Sequence, residues 1–244
     1  MDEHGKLIRL FPVPFRFVND AQQFRKWQWI EAGVRKTNDD HRLESHRISV
    51  DTIQLLGAPI PTKDDWIERR RAIEPLQVFE NFAALEDARQ SRGVTLGLVR
   101  PSRLLDLEIT RADSTEWSAD EVAKLMQAQM QGSLFDQEDE TRALKLLRKL
   151  PFDFRYRYEC SSESATTTYR HKLVDWEAGA LYWKVHRRAD WELAFRQRFF
   201  DEFLKRDVLF LMGTIHRFPD QWLIVSVLYP PKPQPEILGQ LRLF

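Results

Sequence analysis

The sequence has little of several features on which secreted proteins and many metalloenzymes depend. It contains one cysteine, Cys160, in 244 residues, which excludes an internal disulfide framework and a multi-cysteine zinc site. No apolar run approaches the ~20 residues that span a bilayer, and the charged N-terminus is unlike a signal peptide. Lysine plus arginine and aspartate plus glutamate both number 37, so the formal net charge is zero. These absences predict a cytoplasmic protein with no membrane partner and no uniformly basic surface.

Motifs of common enzyme classes are also missing. The chain has no P-loop, GxGxxG or GxSxG motif, which are typical of phosphate-binding, dinucleotide-binding and serine-hydrolase sites. No Asp-x-Lys or Glu-x-Lys doublet, the arrangement of restriction-type nucleases, falls on a predicted strand. The sequence therefore identifies no cofactor, and it leaves open whether the protein is an enzyme.

What is present indicates a globular α+β fold. Apolar residues make up 43% and charged residues 30% of the chain, which is ordinary for a globular protein. The local patterns predict a mixed or antiparallel sheet packed by helices, with an extended, proline-rich C-terminal tail. We divide the chain into an N-terminal α+β region at 1–149, a core region in ββααββ order at 150–229, and the tail at 230–244. Continuity between the first two regions is left open.

The core region has the clearest pattern. Aromatic residues alternate with charged ones from Phe152 to Glu159, and a period of two predicts a half-buried strand. A second strand follows, and Asp175 then occupies the position of a helix N-cap. Two apolar runs that predict central strands lie at 208–212 and 222–229. The side chains that helical spacing predicts to face the core are Trp176, Ala180, Trp183, Trp191, Phe195, Phe199 and Phe203.

The last five residues form a recognisable motif. The segment Gln240-Leu241-Arg242-Leu243-Phe244 resembles the QLxLF motif by which bacterial replication and repair proteins bind the β sliding clamp. Every consensus position matches, and Arg242 stands at the variable one. The resemblance implies that Gln240 anchors the peptide by hydrogen bonds. It also implies that Leu241, Leu243 and Phe244 fill an apolar groove on the clamp.

The residues around this motif fit such a role. Four prolines at 230, 231, 233 and 235 predict a stiff, extended spacer, so little ordering entropy would oppose docking. The alternative is a terminal segment that folds back onto its own domain. A partial copy of the motif at 131–135 departs from it at Gly132, where leucine is expected, and glycine there is typical of a helix C-terminus.

Four polar residues of the core region have side chains suited to a metal or acid–base site. His171 lies on a predicted strand, Asp175 and Glu177 lie at the start of the next helix, and His216 lies in a turn. Their separations match no standard zinc spacing, so the sequence assigns no metal site and no catalytic residue beyond these candidates. The alternative is a helix cap, a first-turn acid favoured by the helix dipole, and two surface histidines.

A further polar cluster lies near the N-terminus. Its members are Asp39, Asp40, His41, Glu44 and His46. These residue types could serve a metal, but a charged loop is the commoner explanation. Cys160 with a distant histidine is a further hypothesis for a nucleophile, although nothing near it in the sequence lowers the pKa of its thiol.

Basic residues interleaved with aromatic ones predict a surface that contacts phosphates and stacks on bases. They are Arg9, Arg16, Arg25, Lys26, Trp27, Arg69 and Arg70. The alternative is that each is a solvated residue on an outer face. The stretches 7–53 and 175–231 also resemble an uncharacterised family of bacterial proteins, a resemblance that implies no activity.

These observations lead to one functional hypothesis and two alternatives. The first is a DNA-associated factor in repair, replication or mobile-element and defence biology, tethered to the clamp by its tail. The second is a metal-dependent nuclease or nucleotide hydrolase that uses His171, Asp175, Glu177 and His216. The third is a non-catalytic protein-interaction subunit.

Overall fold

The computed structural model describes residues 1–10, 23–36, 40–119, 122–123, 148–162 and 165–232. Within these ranges the predicted α+β fold is confirmed, with twelve strands in three sheets and four α-helices. The strands are β1 (Arg9–Leu10), β2 (Trp29–Glu31), β3 (Val34–Lys36), β4 (Ser45–Ile48), β5 (Gln54–Leu56), β6 (Val78–Phe79), β7 (Leu96–Val99), β8 (Arg103–Arg111), β9 (Phe152–Ser161), β10 (Thr166–Leu173), β11 (Leu209–Ile215) and β12 (Phe218–Leu228). The helices are α1 (Lys63–Ile73), α2 (Phe82–Arg92), α3 (Trp176–Val185) and α4 (Trp191–Arg196).

A seven-stranded mixed sheet forms the body of the protein, in the order β6-β7-β11-β12-β10-β9-β8. The β6–β7 and β10–β12 pairs are parallel, and the other neighbours are antiparallel. Strands β6 to β8 come from the predicted region 1–149, and β9 to β12 come from 150–229. This one sheet therefore contains strands from both predicted regions. The remaining sheets, β1-β4-β3 and β2-β5, lie in the N-terminal part of the chain.

Strand β9 shows how alternation builds the core. Phe154, Tyr156 and Tyr158 are buried, whereas Arg157 between them is exposed. The Tyr156 hydroxyl donates a hydrogen bond to the backbone carbonyl of Phe199, so this buried polar group is satisfied. The prediction of a half-buried strand is confirmed, and this strand lies near the edge of the sheet between β8 and β10.

The opposite face of β8, β9 and β10 is covered by charged pairs. Three of these pairs have distances of 2.6 Å between Lys172 Nζ and Asp153 Oδ1, 2.7 Å between Arg170 Nε and Glu108 Oε2, and 2.9 Å between Arg103 Nε and Glu159 Oε2. Exposed pairs of this kind each stabilise a fold by only about 0–1 kcal/mol. Stability in this part of the sheet therefore comes mainly from its apolar face.

Helix α3 presents a different face to the sheet than its aromatic residues predicted. Trp176, expected in the core, is 66% exposed, and Trp183 is only partly buried. Hydrogen bonds that Asp175 accepts from Ser226 and Val227 fix the start of the helix on β12, and the buried stripe lies two positions further along the chain. The buried residues of α3 are Ala178, Tyr182 and Val185. The predicted stripe of Trp176, Ala180 and Trp183 is therefore wrong.

The phenylalanine stripe that follows is confirmed. Phe195, Phe199 and Phe203 are all buried, and the Phe195 ring stacks on Phe154 with centroids 4.2 Å apart. In an α-helix each four-residue step advances about 40° past a full turn, so a stripe with this spacing drifts off the core. Helix α4 instead widens into a π-helical turn at Gln197–Asp201, which reduces the drift.

Helix α2 packs against the edge strands through a close approach at Gly97. A Cβ atom at Gly97 would lie 2.7 Å from Leu85 Cδ1 and 3.2 Å from the Phe79 ring, which is closer than van der Waals contact permits. The helix ends at Gly93, whose φ of +69° suits the left-handed C-terminal cap that glycine favours.

The N-terminal strands meet the body through polar contacts. Arg9 Nη2 lies 3.2 Å from the Thr95 carbonyl and 3.3 Å from Glu44 Oε1, and Arg42 Nη1 donates to the Thr214 carbonyl at 2.9 Å. Several predicted features lie outside the described residues, namely Arg16, Asp39, the partial motif at 131–135 and the tail from 233 to 244. No helix in the described ranges is long and apolar enough to cross a membrane.

Candidate functional site

Asp175 and Glu177, two of the predicted catalytic residues, lie together at the start of α3. Asp175 Oδ1 accepts from the Glu177 amide at 2.7 Å, and its Oδ2 accepts from Ser226 Oγ at 3.0 Å and the Val227 amide at 2.9 Å. Lys26 Nζ lies 2.6 Å from Glu177 Oε2. Both carboxylate oxygens of the buried Asp175 are occupied by hydrogen bonds. Asp175 therefore caps α3 and links it to β12.

His171 lies on β10 and is surrounded by aromatic rings. Its ring centroid lies 4.5 Å from that of Phe82, and its Nδ1 lies 3.0 Å from the Tyr158 hydroxyl. Burial lowers the pKa of His171 from 6.5 to about 4, because the charged imidazolium is poorly solvated there. The imidazole is thus neutral at pH 7, and it packs among the rings of Phe82, Tyr158 and Tyr169.

His216 lies at the other end of β12 from Asp175. It occupies the turn just before Phe218, where β12 begins, whereas Asp175 contacts Val227 near the end of the strand. The nine residue steps from Phe218 to Val227, at ~3.3 Å each, separate the two ends of this part of β12 by about 30 Å. The structure does not bring the four predicted catalytic residues into one site.

A different cluster forms around His216. Its Nδ1 lies 3.3 Å from Asp40 Oδ1, and its ring centroid lies 5.3 Å from that of His41. One potential ligand atom from each of Asp40, His41 and His216 lies within 4.8 Å of the others. The sequence placed His216 in one polar cluster and the other two residues in another. Asp40 and His216 are 176 positions apart, so no spacing pattern could join them.

Arg42 fixes this cluster in place. Its Nε lies 2.9 Å from Asp40 Oδ1, its Nη2 lies 2.6 Å from Asp40 Oδ2, and its Nη1 donates to the Thr214 carbonyl at 2.9 Å. Burial, the largest single influence, raises the pKa of the Asp40 carboxyl, but hydrogen bonds from Arg42 and Ser45 and the charge of Arg42 together lower that pKa by more. The pKa of Asp40 therefore lies below its usual range, and the group is a carboxylate at neutral pH.

The predicted nucleic-acid residue Arg69 is enclosed by its own chain. Its guanidinium carbon lies 4.8 Å from the Trp27 ring centroid and 4.7 Å from that of Trp66, and its Nε donates to the Ile60 carbonyl at 2.8 Å. Arginine between two indole rings is a cation–π arrangement. Trp27 and Arg69 therefore stabilise the N-terminal region. The planar faces of the Trp27 ring and the Arg69 guanidinium contact each other, so these contacting faces do not stack on bases.

Other members of the predicted basic set also have partners within the chain. Lys26 pairs with Glu177, Arg9 contacts Glu44 and Thr95, and Arg70 donates to the Asp65 and Pro231 carbonyls. The basic residues with these contacts are Arg9, Lys26, Arg69 and Arg70, while Arg25 is exposed. The described chain thus does not gather them into a basic surface.

Cys160 and His46 have ordinary structural environments. The Cys160 thiol is buried on β9, and burial raises its pKa, which is the opposite of what a nucleophilic thiolate requires. His46 Nδ1 lies 2.9 Å from the Glu44 carbonyl. Neither residue belongs to the cluster at Asp40.

The base of the C-terminal tail is held firmly on the body. Arg206 forms an isolated antiparallel bridge with Pro231, and the Asp207 amide donates to the Pro230 carbonyl at 2.9 Å. The Arg70 guanidinium donates to the Pro231 carbonyl. Helix α1 and the turn before β11 therefore both fix the point where the described chain reaches Lys232.

Tyr229 adds an aromatic contact at this base. Its ring centroid lies 4.7 Å from Phe203 and 5.2 Å from Trp66, so it joins the phenylalanine stripe of the body to the N-terminal region. We refer to Arg70, Arg206, Asp207, Tyr229 and Pro231 as the tail base.

Comparison with known families divides the chain near residue 76. A family model described as "Domain of unknown function (DUF8757)" matches residues 78–244. The chain belongs to this family. A second model, described as "Domain of unknown function (DUF8758)", matches residues 1–75. The DUF8757 match contains the whole seven-stranded sheet and the tail, and the DUF8758 match contains the N-terminal strands and α1. No curated protein and no solved structure matches the chain.

Proposed function

We propose that this DUF8757 protein is a bacterial, cytoplasmic, DNA-associated factor that binds the β sliding clamp through its C-terminal tail. The observation on which the proposal rests is the segment Gln240–Phe244, which matches the QLxLF motif at every consensus position. Gln240 is assigned the anchoring hydrogen bonds. Leu241, Leu243 and Phe244 are assigned the apolar groove of the clamp.

The tail base supports a tethering role. Contacts from Arg70, Arg206 and Asp207 fix the chain at Pro230 and Pro231. Thirteen residues follow from Lys232 to the end of the chain, and at ~3.3 Å per residue they reach at most about 40 Å. A motif at the end of such a tether reaches a partner surface without a rigid contact between the two bodies.

In this proposal the protein is brought to DNA by the clamp rather than by its own basic residues. Arg9, Lys26, Arg69 and Arg70 are engaged in contacts within the chain, so they offer few free groups for phosphate. The clamp would then bring the protein to the DNA on which repair, replication or defence takes place. Direct DNA binding, if it contributes, should show the steep salt dependence of phosphate contacts.

The nuclease alternative loses the site predicted for it, because His171, Asp175, Glu177 and His216 do not converge. The interaction-subunit alternative predicts binding to a protein other than the clamp. Neither alternative predicts clamp binding that depends on the last residues of the tail.

The test is a titration of purified clamp against the wild-type chain and a Leu243→Ala/Phe244→Ala variant. We expect modest affinity for the wild type, because so short a peptide buries less than a standard protein interface. We expect no measurable binding by the variant. Added salt should weaken wild-type binding little, because the contacts are apolar rather than electrostatic.

Two control variants sharpen this test. Arg242→Ala changes the variable motif position and should retain clamp binding. Leu134→Ala/Phe135→Ala alters the partial motif at 131–135 and should also retain it. Equal binding by the wild type and the Leu243→Ala/Phe244→Ala variant would remove the clamp proposal. A lowered melting temperature in that variant, together with no clamp binding by the wild type, would show that the tail packs on its own domain.

A further inference from the structure

The cluster of Asp40, His41 and His216 joins the two family regions at one point. Asp40 and His41 lie in the DUF8758 match at 1–75, and His216 lies in the DUF8757 match at 78–244. The candidate ligand atoms already lie within 4.8 Å of one another. Tetrahedral ligands 2.0–2.2 Å from an ion are separated by roughly 3.4 Å, so modest side-chain rotation is sufficient to complete such a site.

We propose that Asp40, His41 and His216 bind one divalent transition-metal ion of the zinc class, which clips the N-terminal strands to the β11–β12 turn. Two imidazole nitrogens and one carboxylate oxygen form a ligand set that suits zinc, nickel or copper. Magnesium and calcium prefer sites built entirely from oxygen ligands. Three protein ligands leave one coordination position for water.

The surroundings of the cluster provide the supporting hydrogen bonds that such a site requires. Arg42 binds both oxygens of the Asp40 carboxylate and also the Thr214 carbonyl, two residues before His216. The carboxylate and the histidine turn are thereby held together by one side chain. Hydrogen bonds of this kind orient the side chains that bind a metal. His41 and His216 are exposed, which gives an ion direct access from solvent and gives the rings freedom to rotate.

The alternative for these residues is a surface ion pair between Asp40 and His216 beside an unrelated histidine. The two interpretations differ in a measurable way. An ion pair binds no metal, whereas a clip binds one ion per chain and raises the melting temperature, because an ion that binds only the folded state stabilises it.

The experiment uses the full chain without any histidine tag, after treatment with chelator and dialysis. Zinc chloride is titrated by calorimetry, with magnesium chloride as the negative control, and thermal melts are recorded with and without zinc. We expect one zinc ion per chain, a higher melting temperature with zinc, and no magnesium binding. His41→Ala and His216→Ala should each weaken zinc binding by at least the 10- to 100-fold typical of changes to groups that only support a ligand.

Matched variants separate this site from other histidines. His4→Ala removes an exposed histidine near the N-terminus that lies outside the cluster, and it should bind zinc like the wild type. Asp40→Asn also disturbs the pairing with Arg42, so the two histidine variants, which are exposed and should fold normally, decide the result. Zinc binding of equal affinity and stoichiometry by the wild type and a His41→Ala/His216→Ala double variant would overturn the proposal, as would loss of binding in His4→Ala alone.

Discussion

The body of the protein and its N-terminal region differ in how much buried apolar packing stabilises each of them. The body contains one large cluster of buried residues, which includes Phe154, Tyr156 and Tyr158 of β9 and the phenylalanine stripe. Among the described residues of the N-terminal strands, the corresponding cluster has two buried members, Ile48 and Ile53. That region is joined to the body by polar contacts of Arg9, Arg42 and Lys26 and by the contact of Trp66 with Tyr229. A small apolar cluster of Leu76, Leu98 and Leu209, on which Leu7 and Ile73 pack, also spans the junction.

This difference has consequences for the effect of mutations. Burial of apolar surface is non-directional and cooperative, so a defect in the body should lower the stability of the whole sheet. Charged and hydrogen-bonded contacts depend on individual partners, and regions with few buried contacts open locally. A defect in the N-terminal region should therefore be detected first as local opening. Substitutions in the two regions should separate these outcomes.

The largest effect is expected in the phenylalanine stripe. Phe199 is buried between Phe195 and Phe203, so Phe199→Ala should lower the free energy of unfolding by about 3–5 kcal/mol through lost transfer energy and a cavity. The measurement is urea unfolding monitored by tryptophan fluorescence. Phe218→Ala is the matched control, because Phe218 is 53% exposed and its loss should change stability little. Similar losses for both variants would contradict the proposed role of the stripe.

A smaller effect concerns His171, the partly buried histidine of the body. Since the pKa of His171 falls from 6.5 to about 4 on folding, the unfolded chain binds its proton first as pH decreases. The contribution of neutral His171 is complete above pH 6.5 and is lost as pH falls toward 4. The loss should amount to about 3 kcal/mol, at 1.36 kcal/mol per pKa unit.

The measurement is the free energy of unfolding between pH 7.5 and 4 for the wild type and His171→Gln. Glutamine can still bond the Tyr158 hydroxyl but does not titrate, so the variant should show a shallower decline with pH. His4→Gln alters an exposed histidine and should follow the wild type. Parallel curves for the wild type and His171→Gln would show that His171 does not couple pH to folding.

The smallest effect is expected at Arg69 in the N-terminal region. Arg69→Ala removes a guanidinium that lies between Trp27 and Trp66, a contact worth about 0.5–2 kcal/mol. Hydrogen exchange should become faster in residues 23–36 and 54–73, while β9 and β10 remain protected. Arg69→Lys should behave more like the alanine variant than the wild type, because lysine retains the charge but not the planar stack. An equal increase of exchange in β9 would contradict the contrast between the two regions.

Much of the fold could be predicted from local patterns in the body. The alternation from Phe152 to Glu159 predicted β9 and its buried face, since period two is imposed by strand geometry itself. The N-cap at Asp175 was also predicted, because a short carboxylate at that position satisfies an orphan amide. The face of α3 was not, because the helical spacing of Trp176, Ala180 and Trp183 predicted a stripe, while the rotation of the helix is fixed by the tertiary hydrogen bonds of Asp175.

The candidate sites were harder to predict from the sequence than the fold. The cluster at Asp40 and His216 depends on where the β11–β12 turn meets the chain before β4, and this meeting is set by the tertiary contact of Arg42 with Thr214. The basic residues near Trp27 matched the composition of a nucleic-acid surface, but composition does not reveal which charges are already paired. The tail motif differs from both, because a linear peptide needs no tertiary structure to be recognised.

The bridge at Pro231 also determines how mechanical load would enter the protein. The chain leaves β12 at Leu228 and passes through the tail base before it reaches Lys232. A pull on the tail along the axis of β12 would first strain the bridge to Arg206 and the bond from Arg70. Once these contacts break, the pull would shear the backbone hydrogen bonds that join β12 to β10 and β11. Because these bonds run across the strands, they would share the force instead of opening one after another.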